Sequence, residues 1–403
     1  MTDLLIVGGG AAGLAAAVTA KSLGDSVLVL ERMDRVGKKI LATGNGRCNL
    51  MNSGALRYPG GGDFAQRVLS HAGPDMQRRF WHSLGLFLRE EEAGRIYPLT
   101  SQASTVLDVL RFPLEKEIRT GVSVKEIRKN GELWEADDGM QVYRARRLLI
   151  AGGGCAQEKL GSNGSCIRML RRIGYSCSQL RPALTQIETD IKPIKGLEGI
   201  RIKAKATAIV DGRSVYSERG EVLFTAYGLS GVCIMQLARY VDRTGASISL
   251  HLFDATGLDQ SAMIRELTMR ADRMATAPAE RLLTGILPPR VSHAVMNMAN
   301  VHVERVEDLT QDMIIGIVRT MADFRVRVNQ LKGFDCAQVT RGGINTDDFS
   351  DFTLESRRHP GLFAAGEVLD VDGDCGGYNL MFAFASGILA GKNGRIASWE
   401  GKS

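Results

Sequence analysis

The first thirty residues show an order of apolar and small residues that predicts a strand, a turn, a helix and a second strand. Leu4–Val7 is an apolar run typical of a buried strand. The small apolar residues that follow predict a helix to about Leu23, which Gly24 ends. Ser26–Leu30 predicts the second strand and leads directly to Glu31. This order is typical of the first unit of a Rossmann-type sheet.

The next part of the chain mixes helical and strand patterns. Helical spacing covers Phe64–Leu86 and Ala103–Gly121. Three later runs predict strands of a small antiparallel excursion, namely Val122–Ile127, Trp134–Ala136 and Gln141–Ile150. The last run delivers a second glycine cluster at residues 152–154, which is typical of a chain returning to a bound dinucleotide.

The second half changes its pattern and then returns to the first. Strand-like alternation dominates residues 190–250, and helical patterns rich in methionine dominate residues 259–332. Methionine at helical spacing is typical of core filling, so it does not indicate a metal site. Near the carboxyl end, Leu362–Ala365 predicts a strand, followed by a Gly366-Glu367 turn and an apolar closing helix. We therefore predict an α/β protein with two domains: a discontinuous domain over 1–189 and 336–403, and an inserted domain over 190–335, mainly β over 190–255 and mainly helical over 256–335.

Composition narrows the class of protein. The 403 residues are 44% apolar and 24% charged, as in ordinary globular proteins, and no apolar run approaches the ~20 residues of a membrane span. Seven scattered cysteines without a C-x-x-C pair argue against disulfides and zinc, and no basic segment of a secretory signal begins the chain, so we expect a cytoplasmic protein. The net charge of +6 lacks basic runs interleaved with aromatics, so no nucleic-acid partner is expected. An anionic cofactor or substrate explains the charge equally well.

The turn at residues 8–13 reads G-G-G-A-A-G and fits the dinucleotide fingerprint G-x-G-x-x-G. Gly8 allows the tight turn, Gly10 lets the backbone approach a pyrophosphate, and Gly13 permits close packing of helix against strand. The helix amino terminus offers unpaired N–H groups and a positive dipole end to the phosphates. Glu31 can accept hydrogen bonds from a ribose and disfavours a 2′-phosphate. The chain is therefore predicted to bind a dinucleotide.

Five segments in order resemble one family over nearly the whole chain. They are LLIVGGGAAGLAAA with Glu31, GKKILATGNGRCN, GRIYPLTSQAS, GEVLFTAYGLSG, and GGINTDD through PGLFAAGEVLDVDGDCGGYNLMFAFASG. The family is the BaiN-like and aminoacetone-oxidase-like group of FAD-dependent oxidoreductases. The resemblance implies a glutathione-reductase-like FAD domain of the Rossmann type with an inserted β-barrel-like and helical domain. It also implies that GKKILATGNGRCN runs along the FAD towards the isoalloxazine ring.

The predicted FAD-binding residues come from these motifs and from the returning strand. They are Gly8, Gly10, Ala12, Gly13, Glu31, Arg32, Lys38, Lys39, Gly44, Gly46, Arg47, Cys48, Val124, Ala151, Gly152, Gly153, Gly366, Glu367, Gly377, Asn379 and Leu380. No covalent attachment motif is present, so FAD is expected to bind non-covalently. For Cys48 a packing or flavin-lining role is favoured over a redox thiol, because no resolving cysteine is near in sequence.

Three residues are candidates for contact with the substrate or for catalysis. Tyr378 and Tyr227 are candidates for substrate contact or proton transfer, or simply form an aromatic wall. Arg341 stands before a glycine pair where the family usually has a small residue. It is a candidate for binding an anionic or carbonyl-bearing substrate group, and a surface ion pair with Asp347 or Asp348 is the alternative.

The leading function is an FAD-dependent oxidoreductase that transfers hydride between flavin N5 and a small organic substrate. Only one full dinucleotide fingerprint is present, so NADH or NADPH would act as a transient donor without a dedicated domain. The alternatives are an amine oxidase of the aminoacetone type that uses O₂, and a non-catalytic flavin-binding protein. The sequence leaves substrate, electron donor, general acid or base and oligomeric state open.

Overall fold

The computed structural model describes residues 1–400 and divides the chain into two compact units. The first unit contains residues 1–182 and continues from residue 338, and the second unit contains residues 183–337. Each unit has its own apolar core.

The α-helices alternate with strands in the first unit, whereas the three longest helices of the second unit follow one another after most of its strands. In chain order the helices are α1 (Ala11–Ser22), α2 (Lys38–Ala42), α3 (Gly62–His71), α4 (Pro74–Ser83), α5 (Ala103–Arg111), α6 (Ser165–Arg172), α7 (Val232–Leu237), α8 (Gln260–Arg273), α9 (Pro289–Met298), α10 (Gln311–Ala322) and α11 (Tyr378–Lys392).

The two longest strands lie in the second unit. In chain order they are β1 (Thr2–Val7), β2 (Val27–Glu31), β3 (Met51–Asn52), β4 (Leu88–Glu91), β5 (Arg95–Pro98), β6 (Ile118–Thr120), β7 (Glu126–Asn130), β8 (Leu133–Asp137), β9 (Val142–Ile150), β10 (Arg181–Ala183), β11 (Ile187–Thr189), β12 (Arg201–Val210), β13 (Arg213–Thr225), β14 (Gly228–Ser230), β15 (Ser247–His251), β16 (Phe324–Leu331), β17 (Val339–Arg341) and β18 (Leu362–Ala364).

A seven-stranded sheet forms the centre of the first unit, in the order β6-β2-β1-β9-β8-β7 with β18 also on β9. Strands β6, β2, β1, β9 and β18 are parallel, and β7, β8 and β9 form an antiparallel meander. The long strand β9 pairs with β8 through its first half and with β18 through its last three residues. The carboxyl ends of β1, β2, β9 and β18 therefore meet at one edge, where ligands of such sheets bind.

Two apolar helices pack against each other with almost no side-chain volume between them. A Cβ on Gly387 of α11 would lie 2.2 Å from the carbonyl oxygen of Ala12, and one on Gly391 would lie 2.5 Å from that of Ala16. Because glycine alone permits this backbone approach, α11 is fixed directly on α1. The chain before α11 is thereby held near the start of α1, where a Cβ on Gly366 would lie 3.0 Å from the Ala12 Cβ.

The antiparallel meander carries a buried carboxylate between two arginines. Glu135 on β8 is 1% exposed, and its two oxygens accept hydrogen bonds from Arg144 and Arg128, each at 2.7 Å. Hydrogen bonds from Arg144 and then Asn130 lower the pKa of Glu135 from 4.5 to about 2. The carboxylate is thus held ionised across the three strands.

The second unit contains a closed antiparallel barrel in the order β11-β14-β13-β12-β15-β16, with β16 pairing back to β11. Along β12 and β16 buried and exposed residues alternate, which is typical of strands with one face in a barrel core. The helices α8, α9 and α10 pack with the barrel core in one apolar cluster.

Four sequence predictions of secondary structure were wrong in part. The helical stretch Phe64–Leu86 is divided into α3 and α4, and the strand predicted over Val122–Ile127 begins only at Glu126 as β7. The predicted helix Ala103–Gly121 ends at Arg111, and Ile118–Thr120 is an edge strand beside β2. Pro113 contributes to this end, because proline cannot donate the backbone hydrogen bond of a continuing helix. The helical prediction for residues 259–332 was wrong for Phe324–Leu331, which closes the barrel as β16.

Within residues 1–400, no helix combines the length and apolar character that crossing a membrane requires.

Candidate functional site

The glycine turn between β1 and α1 gives its glycines different surroundings. Gly8 has a φ of +112°, and a Cβ on it would lie 2.5 Å from the carbonyl oxygen of Ala151. A Cβ on Gly13 would lie 1.9 Å from the carbonyl oxygen of Gly8. By contrast, a Cβ on Gly10 would have no heavy atom within 4 Å, and no side chain caps α1. The turn therefore leaves open space at a positively polarised helix start, which suits an anionic group.

Glu31 lies at the carboxyl end of β2 beside this turn and is 9% exposed. Its Oε2 accepts a hydrogen bond from the Gly9 N–H and its Oε1 accepts one from the Met33 N–H, both at 2.8 Å. A carboxylate has about four acceptor positions, so two remain for hydroxyl groups of a ligand. The Val122 N–H donates to the Glu31 carbonyl at 2.9 Å, which brings buried Val124 to the same edge.

A second carboxylate, Glu367, joins four segments that are distant in sequence. Its Oε2 accepts from Lys39 Nζ at 2.6 Å, and its Oε1 accepts from the Thr340 N–H at 2.8 Å. The Thr340 hydroxyl oxygen in turn accepts from the N–H groups of Cys155 at 2.7 Å and Ala156 at 3.1 Å. The lysine loop, the second glycine cluster, the return segment and the carboxyl-terminal turn thus form one hydrogen-bonded network.

The second glycine cluster follows β9, and its glycines make room for neighbours. A Cβ on Gly152 would lie 2.2 Å from the sulfur of Cys166, and Gly153 has a φ of +72°. Gly366, next to Glu367, is buried, and its N–H donates to the Ser386 hydroxyl at 2.9 Å. These glycines allow the backbone of three segments to meet at the sheet edge.

The start of α11 forms the other end of the site. Gly377 precedes the helix, no side chain caps it, and Leu380 in its first turn is partly exposed. Asn379 closes the preceding loop, since its carboxamide accepts from the N–H and donates to the carbonyl of Gly373, both at 2.8 Å. Asn49 Oδ1 is buried without a hydrogen-bond partner and would lie 2.9 Å from a Cβ on Gly377.

All four predicted basic residues make contacts within the protein, including Lys39 with Glu367 in the network above. Arg32 donates to the carbonyl groups of Gly161 and Glu158, both at 3.0 Å. Lys38 forms an ion pair with Asp34. These contacts fix both side chains at the surface of the turn that follows β2.

Arg47 forms an ion pair with Glu91 and stacks over the Tyr97 ring at 4.1 Å. The neighbouring Gly44 and Gly46 lie in the exposed turn after α2, with φ of +57° and +82°. The ion pair with β4 and the stacking on β5 thus hold the end of this turn against both strands.

Cys48 is a core residue. It is completely buried, and burial raises the pKa of its thiol from 9.0 to about 12. A thiol with this pKa carries almost no thiolate at neutral pH, so it is a poor nucleophile in the folded protein.

The three catalytic candidates lie in different surroundings. Tyr378 is 5% exposed, and its hydroxyl donates to the Ala55 carbonyl at 3.1 Å. Tyr227 belongs to the second unit, where its hydroxyl donates to Gln186 and Lys332 Nζ lies 4.3 Å from its ring centroid.

Arg341 is exposed at the end of β17, directly after buried Thr340. The glycines that follow it approach other parts of the chain. A Cβ on Gly342 would lie 2.4 Å from the carbonyl oxygen of Gln179. The glycine pair therefore has a structural reason of its own and does not by itself indicate a ligand.

Thr340 and Asn49 are missing from the set predicted from sequence. Asn49 is the last residue of the motif segment GKKILATGNGRCN, which could have identified it as a candidate binding residue. Thr340 has no local signal, because its partners lie 27 to 185 residues away along the chain.

The site fits FAD on two observations. An uncapped helix start with open space at Gly10 suits a pyrophosphate, and Glu31 beside it suits a ribose. At α11, an uncapped helix start and the unpaired Asn49 oxygen offer hydrogen-bonding capacity that the chain does not use. Among residues 1–400, no three His, Cys, Asp or Glu side chains gather closely enough to hold a metal ion.

Comparison with known proteins gives a match over nearly the full chain. The family described as HI0933-like protein Rossmann domain matches residues 2–393. A 3-dehydro-bile acid delta(4,6)-reductase of Clostridium scindens is 35% identical, and the alignment covers 97% of this chain and 98% of that protein. A ribosomal RNA dihydrouridine synthase of Escherichia coli is 27% identical, with 95% of this chain and 96% of that protein covered. A solved structure of 3-ketosteroid delta1-dehydrogenase from Sterolibacterium denitrificans aligns over 97% of this chain and 98% of that chain, with a TM-score of 0.49 and 12% identity.

Proposed function

Because the chain belongs to the HI0933-like Rossmann-domain family and is an FAD-dependent oxidoreductase, we propose that it reduces a carbon–carbon double bond conjugated to a carbonyl group in a small molecule. When bound, FAD supplies hydride chemistry at its N5 atom. The chain's own residues bind and orient the cofactor and hold the substrate. The non-catalytic alternative is set aside, since relatives aligned over nearly their full length are named as a reductase and a dihydrouridine synthase.

The proposed cofactor position follows the two ends of the site. The open helix start at Gly10 holds the pyrophosphate, and Glu31 accepts the hydroxyl groups of the adenosine ribose. Glu367, whose two oxygens are fixed by Lys39 and Thr340, is assigned to the ribityl chain. The start of α11 holds the pyrimidine edge, where its dipole favours negative charge on reduction.

The proposed substrate class rests on chemistry that two relatives share. One relative's name describes reduction of double bonds in a steroid that carries a 3-oxo group, and the other's describes reduction of the uracil ring in RNA. In both substrates the reduced double bond is conjugated to a carbonyl, which activates its far carbon towards hydride. The agreement of two full-length relatives in this chemistry, although their substrates differ greatly, is the observation that carries the proposal.

The electron donor is proposed to be NADH or NADPH binding transiently. Only one dinucleotide fingerprint is present, and its acid Glu31 is assigned to the proposed FAD site. A donor without its own domain would bind at the face of the flavin that the substrate also uses, so reduction and substrate turnover would alternate.

The experiment that tests the function is an anaerobic titration of the purified yellow protein. NADH and NADPH are added separately while flavin absorbance near 450 nm is followed, and the reduced protein is then mixed with a 3-oxo-4,6-diene steroid. We expect bleaching by one donor and recovery of the absorbance with the diene. The matched control is the 3-oxo steroid without double bonds, which should leave the flavin reduced.

Two results would contradict the proposal. Release of FMN or of no flavin from denatured protein that had been folded would exclude the FAD site. Bleaching by aminoacetone or another amine, with hydrogen peroxide formed in air, would instead favour the amine oxidase.

A second candidate substrate is a uridine in ribosomal RNA, which the E. coli relative favours. The prediction of no nucleic-acid partner stands against it, since the chain has no basic run interleaved with aromatics. Incubating reduced protein with ribosomal RNA and measuring dihydrouridine by mass spectrometry separates the two candidates. Dihydrouridine formed without turnover of the steroid would select RNA.

A further inference from the structure

Asn49 carries a hydrogen-bond acceptor that the folded chain leaves unused. Its Oδ1 is buried and has no partner among the described residues. Buried polar atoms are almost always hydrogen-bonded, and leaving one unpaired opposes folding. An unpaired oxygen at the edge of a predicted ligand site therefore indicates a donor that a ligand supplies.

The backbone is fixed on both sides of Asn49, and this limits where the side-chain oxygen can lie. The Cys48 N–H donates to the Thr43 carbonyl at 3.1 Å, and the Leu50 N–H donates to the Ile96 carbonyl at 2.8 Å. The side chains of Cys48 and Leu50 are both completely buried. With its neighbours anchored in the core, Asn49 is held facing the start of α11.

The start of α11 is held against the same segment by two further contacts. Asn52 Nδ2 donates to the Gly376 carbonyl at 3.0 Å, and a Cβ on Gly377 would lie 2.6 Å from the Met51 carbonyl oxygen. The first helical bond of α11 runs from the Met381 N–H to the Gly377 carbonyl at 2.9 Å, so the N–H groups before it are those of an uncapped helix start. Donors from the helix and one acceptor from Asn49 thus lie side by side.

A ligand edge that fits this pair must offer an acceptor next to a donor. The pyrimidine edge of an isoalloxazine ring has this order, because its C2 carbonyl oxygen neighbours the N3–H group. We infer that Asn49 is a positioning residue whose Oδ1 accepts the hydrogen bond of the flavin N3–H while the start of α11 donates to the C2 carbonyl oxygen. This inference rests on the proposed FAD site, and it assigns a role to a residue outside the predicted binding set.

The test compares the affinities of the apoprotein for FAD and for N3-methyl-FAD, which lacks the N3–H donor. Affinity is measured by titration of flavin fluorescence and needs no turnover. We expect the wild type to bind N3-methyl-FAD about 10-fold or more weakly than FAD, as a lost hydrogen bond and the added methyl group predict. In Asn49→Ala, which removes the acceptor and leaves room for the methyl group, FAD should bind about 10-fold more weakly and the discrimination should vanish.

Two further variants control for folding and for the loop. Asn49→Asp keeps an acceptor oxygen at the same place, so it should retain the discrimination against N3-methyl-FAD. Asn45→Gly changes an exposed asparagine of the same loop, whose φ of +54° suits glycine, and should bind both flavins like the wild type.

The outcomes are distinct. Equal affinity of the wild type for both flavins overturns the inference without any variant. If Asn49→Ala weakens the binding of FAD and of N3-methyl-FAD by the same factor, the residue acts only on the fold. The inference is then wrong, although the proposed FAD site is unaffected. If the wild type binds neither flavin, the proposed function fails and the inference fails with it.

Discussion

Substitutions of two glycines in the first turn should distinguish an effect on cofactor binding from an effect on the stability of the fold. Serine in place of Gly10 enters open space, because a Cβ there has no heavy atom within 4 Å and the backbone angles, φ −89° and ψ −165°, are those of a helix N-cap. The serine hydroxyl would also cap α1, so Gly10→Ser should change the free energy of unfolding of the apoprotein by no more than about 1 kcal/mol, in the stabilising direction.

The same substitution should weaken the binding of FAD. The hydroxyl fills the space proposed for the pyrophosphate and uses a helix N–H group that would otherwise bind a phosphate oxygen. Losing one or two charge-assisted hydrogen bonds, at about 1.5–3 kcal/mol each, predicts a loss of affinity of 10-fold to more than 1,000-fold.

Alanine in place of Gly13 should act mainly on the stability of the fold. Its Cβ would lie 1.9 Å from the Gly8 carbonyl oxygen, so backbone must move. Because the clash is with backbone and not with a flexible side chain, overpacking should cost the upper end of its usual range, about 3 kcal/mol, and the better helix propensity of alanine returns about 1 kcal/mol. We therefore expect Gly13→Ala to lower the stability of the apoprotein by about 2 kcal/mol.

The assay measures denaturant unfolding of both apoproteins and fluorescence titration with FAD. Wild-type FAD affinity in Gly10→Ser would refute the placement of the pyrophosphate at the start of α1. Wild-type stability in Gly13→Ala would refute the close approach of α1 to the end of β1.

Four further outcomes are expected. Glu31→Ala should weaken FAD binding by about 1–3 kcal/mol, and it should also lower apoprotein stability because the buried N–H of Gly9 and the partly buried N–H of Met33 lose their acceptor; an unchanged apoprotein melting temperature would contradict the second part. Arg341→Met should lower kcat/KM about 10-fold, or 1.4 kcal/mol, with FAD retained, if the residue contacts substrate, and wild-type kinetics would show that it does not. Glu135 has its folded pKa lowered from 4.5 to about 2, so its contribution to stability is present above pH 4.5 and disappears as the pH falls towards 2; the difference in melting temperature between wild type and Glu135→Gln should shrink across that window, and a constant difference would argue against it. Cys48, with its pKa raised by burial to about 12, should resist iodoacetamide in the folded protein while exposed Cys336 reacts, as peptide mass spectrometry would show.

Local patterns predicted those elements whose structure depends on neighbours in sequence. The strand and helix around the first glycine turn were predicted within a few residues, because glycine spacing and apolar runs act over short distances. The pattern of Phe324–Leu331 was misassigned, although its alternation is clear, because a long helical context preceded it. Only the pairing of β16 with β11 and β15 explains why this segment is a strand.

The sequence by itself determined the Rossmann-type dinucleotide site, because the glycine turn and the acid after β2 come from residues close together in the chain. The family, the FAD cofactor and the barrel were predicted from the resemblance of the five motif segments. The tertiary structure alone decided which polar groups are already used. It joins Lys39 to Glu367 across 328 positions and leaves the oxygen of Asn49 unpaired at the start of α11. Hydrogen bonds of this kind depend on how distant segments pack, and no periodicity or spacing along the chain records that packing.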